Sequence, residues 1–336
     1  MNLIDTAHIS QLYREKALDL STRRLLMTNF SQSQQQRDFT LPSNCGGFGR
    51  IHHFKRHGSE GWPLNPLPID PSCQALGLPS TDEIQVEVFQ NAVCNWRCWY
   101  CFVDFALLSG HPQHSSWLSA PEIVQLIRQQ EGCPSVIDLS GGQPDLIPEW
   151  VPWMMEALQE AGLDQTTYLW SDDNLSTDYF WRYLSPKQHE IIASYPNYGR
   201  VCCFKGFDEE SFAFNTKANG QLWQQQFELM ERFVELGIDL YAYVTLTTPS
   251  NYDLQGKVRR FMDKLQEVHP LLPLRTVPLE VKMFSPVTER LKGSNSSPFD
   301  IAVKLQWKAI VYWLEEVELR FDAATRARSI AALRLS

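Results

Sequence analysis

The spacing of hydrophobic positions changes along the chain, and each spacing predicts a different element. Near the start Ile9, Leu12, Tyr13, Ala17 and Leu20 recur at helical intervals, which predicts a first helix over 6–24. A polar, glutamine-rich connection is expected at 31–36. Between positions 41 and 80 stand Pro63, Pro66, Pro68, Pro71 and Pro79 with Gly46, Gly47 and Gly49. Prolines at that density argue against a regular helix or a central strand, because each removes an N–H and fixes φ. The same stretch carries Phe48, Ile51, Phe54, Trp62 and Leu64, so it is expected to pack as an ordered wrap.

From Glu83 the pattern alternates short apolar runs with amphipathic stretches. Strands are expected at 84–89, 135–139, 166–170, 201–205, 240–245 and 279–284. Helices are expected at 120–130, 149–160, 222–236 and 255–268, with two short ones in 176–194. A final helix over 302–319 would present Ile310, Trp313, Leu314 and Val317 on one face. Six β/α units in succession predict an α/β fold, a parallel sheet covered by helices. Right-handed crossovers would curl it into a (βα)6 partial TIM-type barrel. The expected division is an N-terminal helix and Pro/Gly-rich wrap over 1–82, the barrel over 83–321 and a tail over 322–336.

Composition excludes some classes. A chain of 336 residues, 43% hydrophobic, can bury a large core. A net charge of −9 disfavours a broad footprint on nucleic acid, which needs clustered Lys and Arg. The first residues lack the basic and apolar segments of a signal peptide, and no run of 18 apolar residues occurs. A soluble cytoplasmic protein without a membrane partner is expected, in which the eight cysteines stay reduced. Closely spaced cysteines then point to metal or catalysis.

Directly after the first expected strand come Cys94, Cys98 and Cys101, within Cys94-Asn95-Trp96-Arg97-Cys98-Trp99-Tyr100-Cys101. Three thiols on one loop can converge on a metal centre with little backbone strain. A [4Fe-4S] cluster on three protein thiolates keeps one iron open for another ligand. The alternative is zinc with a fourth ligand such as His111 or His114, in a non-catalytic binding protein. The C-x3-C-x2-C spacing, with Tyr100 before the last cysteine, resembles the radical S-adenosylmethionine superfamily. Ser140-Gly141-Gly142-Gln143-Pro144, after the second expected strand, is similar to that family's Gly-Gly-Glu-Pro segment. In the family its backbone receives the amino group of the methionine moiety, and here Gln143 replaces the usual Glu. The layout looks closest to activating-enzyme-like members.

The resemblance spans about 83–284. It implies a [4Fe-4S] cluster on Cys94, Cys98 and Cys101, S-adenosylmethionine as cofactor, and an electron donor such as flavodoxin or ferredoxin. It also implies a 5′-deoxyadenosyl radical that abstracts hydrogen from a small molecule, peptide or protein residue. Nucleoside or tRNA modification is the alternative within the family.

Further candidates stand where strands should end, the place where parallel sheets bind ligands. Tyr100, Ser171, Asp173 and Lys205 join Gly141, Gly142, Gln143 and Pro144 as cofactor-binding candidates. Asp172 and Asn174 flank Asp173, and a cap or turn explains the group equally well. Lys205, in a segment similar to the Asp-Leu-Lys of glycyl-radical activating enzymes, could pair with the methionine carboxylate. Cys202 and Cys203 are candidate hydrogen donors, with burial as small apolar residues the plainer role. Tyr243 and Thr245 share a strand face, and Arg275 with Glu280 reads as a surface ion pair. Cys45, His52 and His53 could form a second metal site, but their irregular spacing favours a structural loop.

Overall fold

The computed structural model describes residues 3–33, 35, 37, 39–292 and 297–335, so Gln34 and Gln36 of the expected connection lie outside the described residues. Ten strands form among them. They are β1 (Leu18–Asp19), β2 (Arg24–Thr28), β3 (Gly49–Lys55), β4 (Glu83–Gln90), β5 (Ser115–Ser119), β6 (Val136–Ser140), β7 (Tyr168–Asp173), β8 (Tyr198–Phe204), β9 (Leu240–Thr245) and β10 (Thr276–Leu279).

Seven of these make one sheet in the order β10-β9-β8-β7-β6-β4-β3. All neighbours from β4 to β10 pair parallel, and β3 adds antiparallel to the free edge of β4. The fold is therefore α/β, a curled partial barrel of six parallel strands with one antiparallel edge strand. A separate antiparallel sheet, β1-β2-β5, sits beside it. The intervening helices start where the sequence supplies caps. Ser119 and Glu122 form a capping box ahead of helix Ala120–Gln129, and Ser185 and Gln188 form another ahead of Pro186–Ser194.

Strand alternation sorts the sheet's side chains into two layers. Leu139, Leu169, Cys202, Phe204, Ala242 and Val244 belong to the large core shared with the helices. Val86, Val88, Val136, Tyr168, Trp170, Val201, Cys203, Tyr241, Tyr243 and Val277 form a second cluster on the concave face, completed by Leu67 and Ile330.

Several expectations are corrected. The first helix ends at Ala17, because the Asp19 carboxylate accepts from the Ser21 and Thr22 hydroxyls and turns the chain into β2. Leu12 and Leu20, assigned to its apolar face, are exposed. The proline-rich stretch does contain a helix, Ile69–Leu76, since Pro71 falls in its first turn where no N–H is needed. Its strand β3 is an edge strand, which spares it the demands of a central position. The last strand comes earlier than 279–284 and includes Pro278, tolerated because β10 pairs with β9 alone. β7 runs on through Asp173, past the expected end at Trp170, because Ser140 and Gln143 receive its acidic side chains. Arg275 is buried and pairs with Asp239 at 2.7 Å, while Glu280 pairs with Lys282 at 3.1 Å.

Candidate functional site

The loop after β4 holds the three cysteines at the carboxyl end of the parallel strands, and neighbouring elements fix its backbone. The Cys94 N–H donates to the Leu108 carbonyl at 3.1 Å, and the Cys101 N–H to the Cys98 carbonyl at 3.0 Å. The Arg97 and Trp99 N–H groups reach the carbonyls of Thr216 and Asn215 at 3.2 and 3.1 Å. The Arg290 guanidinium donates to the carbonyls of Trp99, Cys101 and Val103 at 2.8, 3.0 and 2.9 Å. Asn95 is wholly buried and donates to the hydroxyls of Ser10 and Ser176, both at 2.9 Å.

The loop after β6 packs directly onto the start of the cysteine loop. Gly141 and Gly142 have φ of +69° and +61°, and a Cβ on Gly142 would overlap the carbonyls of Asn91 and Val93. Glycine is required there both for its conformation and for the close approach. The Gln143 N–H donates to the Val93 carbonyl at 2.8 Å, and the Asn91 amide donates to the Gln143 carbonyl at 3.0 Å. The two motifs found in sequence are thus hydrogen-bonded neighbours.

Alternation places the remaining candidates on two faces. Ser171, Asp173 and Cys202 pair in register with Arg200, Cys202 and Ala242 and face the helices. The Gln143 amide donates to Asp173 Oδ1 at 2.7 Å, and Arg200 donates to Asp173 Oδ2 at 3.0 Å while also pairing with Asp145. Ser171 and Tyr198 share a hydrogen bond of 2.7 Å. The side chains of Gln143, Asp173 and Ser171 therefore bond within the protein, behind the glycine turn. Asp172, Cys203 and Lys205 follow Trp170 and Val201 on the concave face, with Tyr243 and Thr245 beside them. Ser140 donates to Asp172 at 2.5 Å, and the hydroxyls of Tyr100 and Thr245 lie 2.9 Å apart.

Electrostatics link these groups. Burial raises all three thiols above the ordinary cysteine value, Cys98 to about 12, with Lys205 pulling in the opposite direction. Each of Cys94 and Cys101 acts on Cys98, so the thiols share one environment. Burial would lower Lys205, but Cys203, Tyr100, Cys98 and Cys94 outweigh it and hold the ammonium above the usual lysine range. Cys203 is raised to about 12 by burial, which keeps its thiol protonated.

No group of three or more His, Cys, Asp or Glu side chains among the described residues closes around a single ion. Ligands of a four-iron cluster sit on separate irons and need not meet at a point. Three mutually coupled thiols on one anchored loop, with a lysine beside them, fit that larger group. His111 and His114 face each other at 5.6 Å in a loop beyond the cysteines. Cys45, His52 and His53 do not converge: His53 pairs with Glu83 at 2.8 Å on one face of β3, and His52 lies on the other.

Asp138 and Arg50, both buried on the concave face, were not among the residues expected from sequence. Asp138 had a signal, as the one charge in the apolar run Val136-Ile137-Asp138-Leu139; a doubly covered parallel strand should carry none without a purpose. Two cavities lie away from this mouth. One of about 190 Å³ is at the opposite strand ends, beside Tyr168 and Tyr241, and one of about 570 Å³ adjoins Leu3–Ala7 and Leu222. Among the described residues no helix is long and apolar enough to cross a membrane.

No protein-family model matches the sequence, and no curated protein is significantly similar to it. Among solved structures, SuiB from Streptococcus suis matches with its precursor peptide SuiA bound and with S-adenosylmethionine bound, each at a TM-score of 0.40 and 16% identity. A further structure of SuiB matches at a TM-score of 0.39 and 16% identity. Each match covers 55% of this chain but 36, 37 and 36% of the SuiB chain respectively, so this chain corresponds to little more than a third of SuiB.

Proposed function

We propose that this chain is a radical S-adenosylmethionine enzyme whose [4Fe-4S] cluster is held by Cys94, Cys98 and Cys101. The observation that carries the proposal is the direct packing of the Gly141–Gly142 turn on the cysteine loop, with Lys205 among the same thiols. Held by these three thiols, the cluster would supply the single electron for reductive cleavage of S-adenosylmethionine, chemistry that serves hydrogen abstraction from a substrate. The chain's own residues position and shield. The glycine turn presents open backbone toward an amino group, and Lys205 offers a cation to a carboxylate. Tyr100, fixed by Thr245, walls the mouth. The protonated Cys203 thiol faces the same space and could give its hydrogen atom to a substrate radical, leaving a thiyl that one electron from the donor protein and a proton would restore, whereas Cys202 faces the helices. The concave cluster from Val86 to Val277 excludes water from below. The substrate is a small molecule, peptide or protein residue, and the electron donor a flavodoxin or ferredoxin.

Iron and sulfide analysis of protein purified without oxygen tests this. About four irons per chain are expected, and Cys98→Ala should remove them with the fold intact. Stoichiometric zinc without iron overturns the proposal.

A further inference from the structure

The concave face carries a buried arginine and a buried aspartic acid that do not meet, and burial pushes the Asp138 carboxyl well above the usual carboxylate range. Arg50 on β3 pairs in register with Val88 on β4, and Val88 pairs with Asp138 on β6. The two charged residues thus stand two strands apart on one face, roughly 10 Å between backbones, with only the small Val88 side chain between them. Asp138 is 3% exposed, and its Oδ1 is fully buried without a partner. Arg50 is 7% exposed, and its guanidinium lies 5.7, 5.6 and 5.5 Å from the ring centroids of Phe30, Phe39 and Phe102. Among the described residues neither side chain makes a hydrogen bond or ion pair.

Buried ionisable groups without partners are costly and rare, and an Arg and an Asp this close would normally pair. Here the rings draw the guanidinium aside, and Phe102 directly follows Cys101, so Arg50 points toward the cysteine loop. Asp172, the nearest other acid on this face, accepts from Ser140 at 2.5 Å. Gln90, next along the face and wholly buried, also keeps its carbonyl oxygen unpartnered.

We infer that Arg50 and Asp138 are the two ends of a substrate site for a small zwitterion, with an anionic group on Arg50 and an ammonium on Asp138. The pair is open to a ligand because each side chain keeps free hydrogen-bonding capacity that its counterpart does not fill, and an ammonium beside Asp138 would favour its ionised form. The proposal deepens the reading given above by naming the substrate class. Only the placement of the reacting carbon near the cysteine loop rests on that reading, since binding itself needs neither cluster nor reductant.

The test is saturation-transfer NMR on the full chain, without S-adenosylmethionine or reductant, using glycine, 4-aminobutyrate and 6-aminohexanoate. Pentanoate and pentylamine serve as single-charge controls. At least one zwitterion should bind more tightly than either control. Arg50→Gln and Asp138→Asn should each weaken it by about tenfold or more, and Arg50→Lys should retain part of the affinity. Both variants should melt no lower than the parent, because each replaces an ionisable group whose burial no partner offsets. Absence of zwitterion binding, affinity unchanged in both variants, or a marked fall in melting temperature would overturn the inference. So would one-for-one displacement by S-adenosylhomocysteine, which would assign the pair to the S-adenosylmethionine site. Zwitterion binding that depends on Arg50 in a protein carrying zinc would sink the radical reading and leave this one standing.

Discussion

Lys205 is the residue on which the cofactor proposal bears most directly. Its ammonium makes no ion pair among the described residues, while three thiol-bearing side chains and Tyr100 surround it. Lys205→Ala is expected to weaken S-adenosylmethionine binding about ten- to hundredfold, the worth of one hydrogen bond to a charged group, and to leave iron content unchanged. Calorimetry checks it; unchanged affinity would reduce Lys205 to a wall residue. A second residue prediction concerns Glu87, on the helix-facing side of β4. Burial pushes its carboxyl up to about 7, although Asn44 donates to it at 2.6 Å. A carboxyl raised by folding binds its proton more tightly in the native state, so stability is fullest below the unfolded value and falls as pH rises through about 7. Glu87→Gln keeps the shape and brings an N–H₂ toward the unpartnered Asn44 oxygen. It should stabilise the fold by on the order of 1–3 kcal/mol at pH 8, with the difference vanishing near pH 4.5. Equal melting curves at pH 8 would contradict this. The cysteines and the glycine turn were legible in sequence because their information is local, three cysteines and two glycines at fixed spacing. Arg50 and Asp138 were not, since they become neighbours only through the register of three strands.

Among elements, the cysteine loop owes its shape to helix Ser285–Leu291, which lies far from it in sequence. Arg290 on that helix holds three successive stretches of loop backbone and lies 3.7 Å from the Phe105 ring centroid. Arg290→Ala should leave the barrel folded but free those carbonyls, so that iron occupancy after anaerobic purification drops by about half or more and oxygen strips the cluster faster. The decay of cluster absorbance in air measures it. Decay at the parent's rate would show that the loop holds itself. Elements with one strong periodicity were well read: β9 matches its expected span, and helices Ala120–Gln129 and Leu254–Val268 differ from expectation by one residue at one end. Misreadings occurred where a tertiary partner decides. β5 exists because β2 pairs with it from Arg24↔Ser119 to Thr28↔Ser115, and β7 continues through two acids because Ser140 on β6 and Gln143 in the loop after it donate to them. Helix Ser285–Leu291 has too few apolar positions for periodicity to reveal it.

At the scale of the molecule, an open sheet of six parallel strands has two free edges, and residues 41–80 engage both. β3 pairs along β4 from Gly49↔Phe89 to Lys55↔Glu83. Beyond residues 56–61, Trp62 donates its indole N–H to the Pro278 carbonyl on β10 at 3.1 Å and meets Trp307 edge-on at 5.2 Å. Leu67, wholly buried, then enters the concave cluster, and Tyr243 donates to its carbonyl at 3.3 Å. Residues 49–67 therefore run from the β4 edge to β10 along the barrel's open side. Removing residues 1–80 would strip the β4 edge, uncover Val86 and Val88, and delete Arg14, the buried partner of Glu149 at 2.9 Å. The remaining chain should show no cooperative urea transition by circular dichroism. Trp62→Ala separates closure from folding: it costs about 3–5 kcal/mol, as a large buried aromatic does, yet leaves every strand its pairing. That variant should keep its iron, exchange the amides of 62–67 faster, and form 5′-deoxyadenosine without a matching loss of substrate, because water reaches the concave face from the side. Parent-like exchange and full coupling would show that the barrel's side is sealed without Trp62.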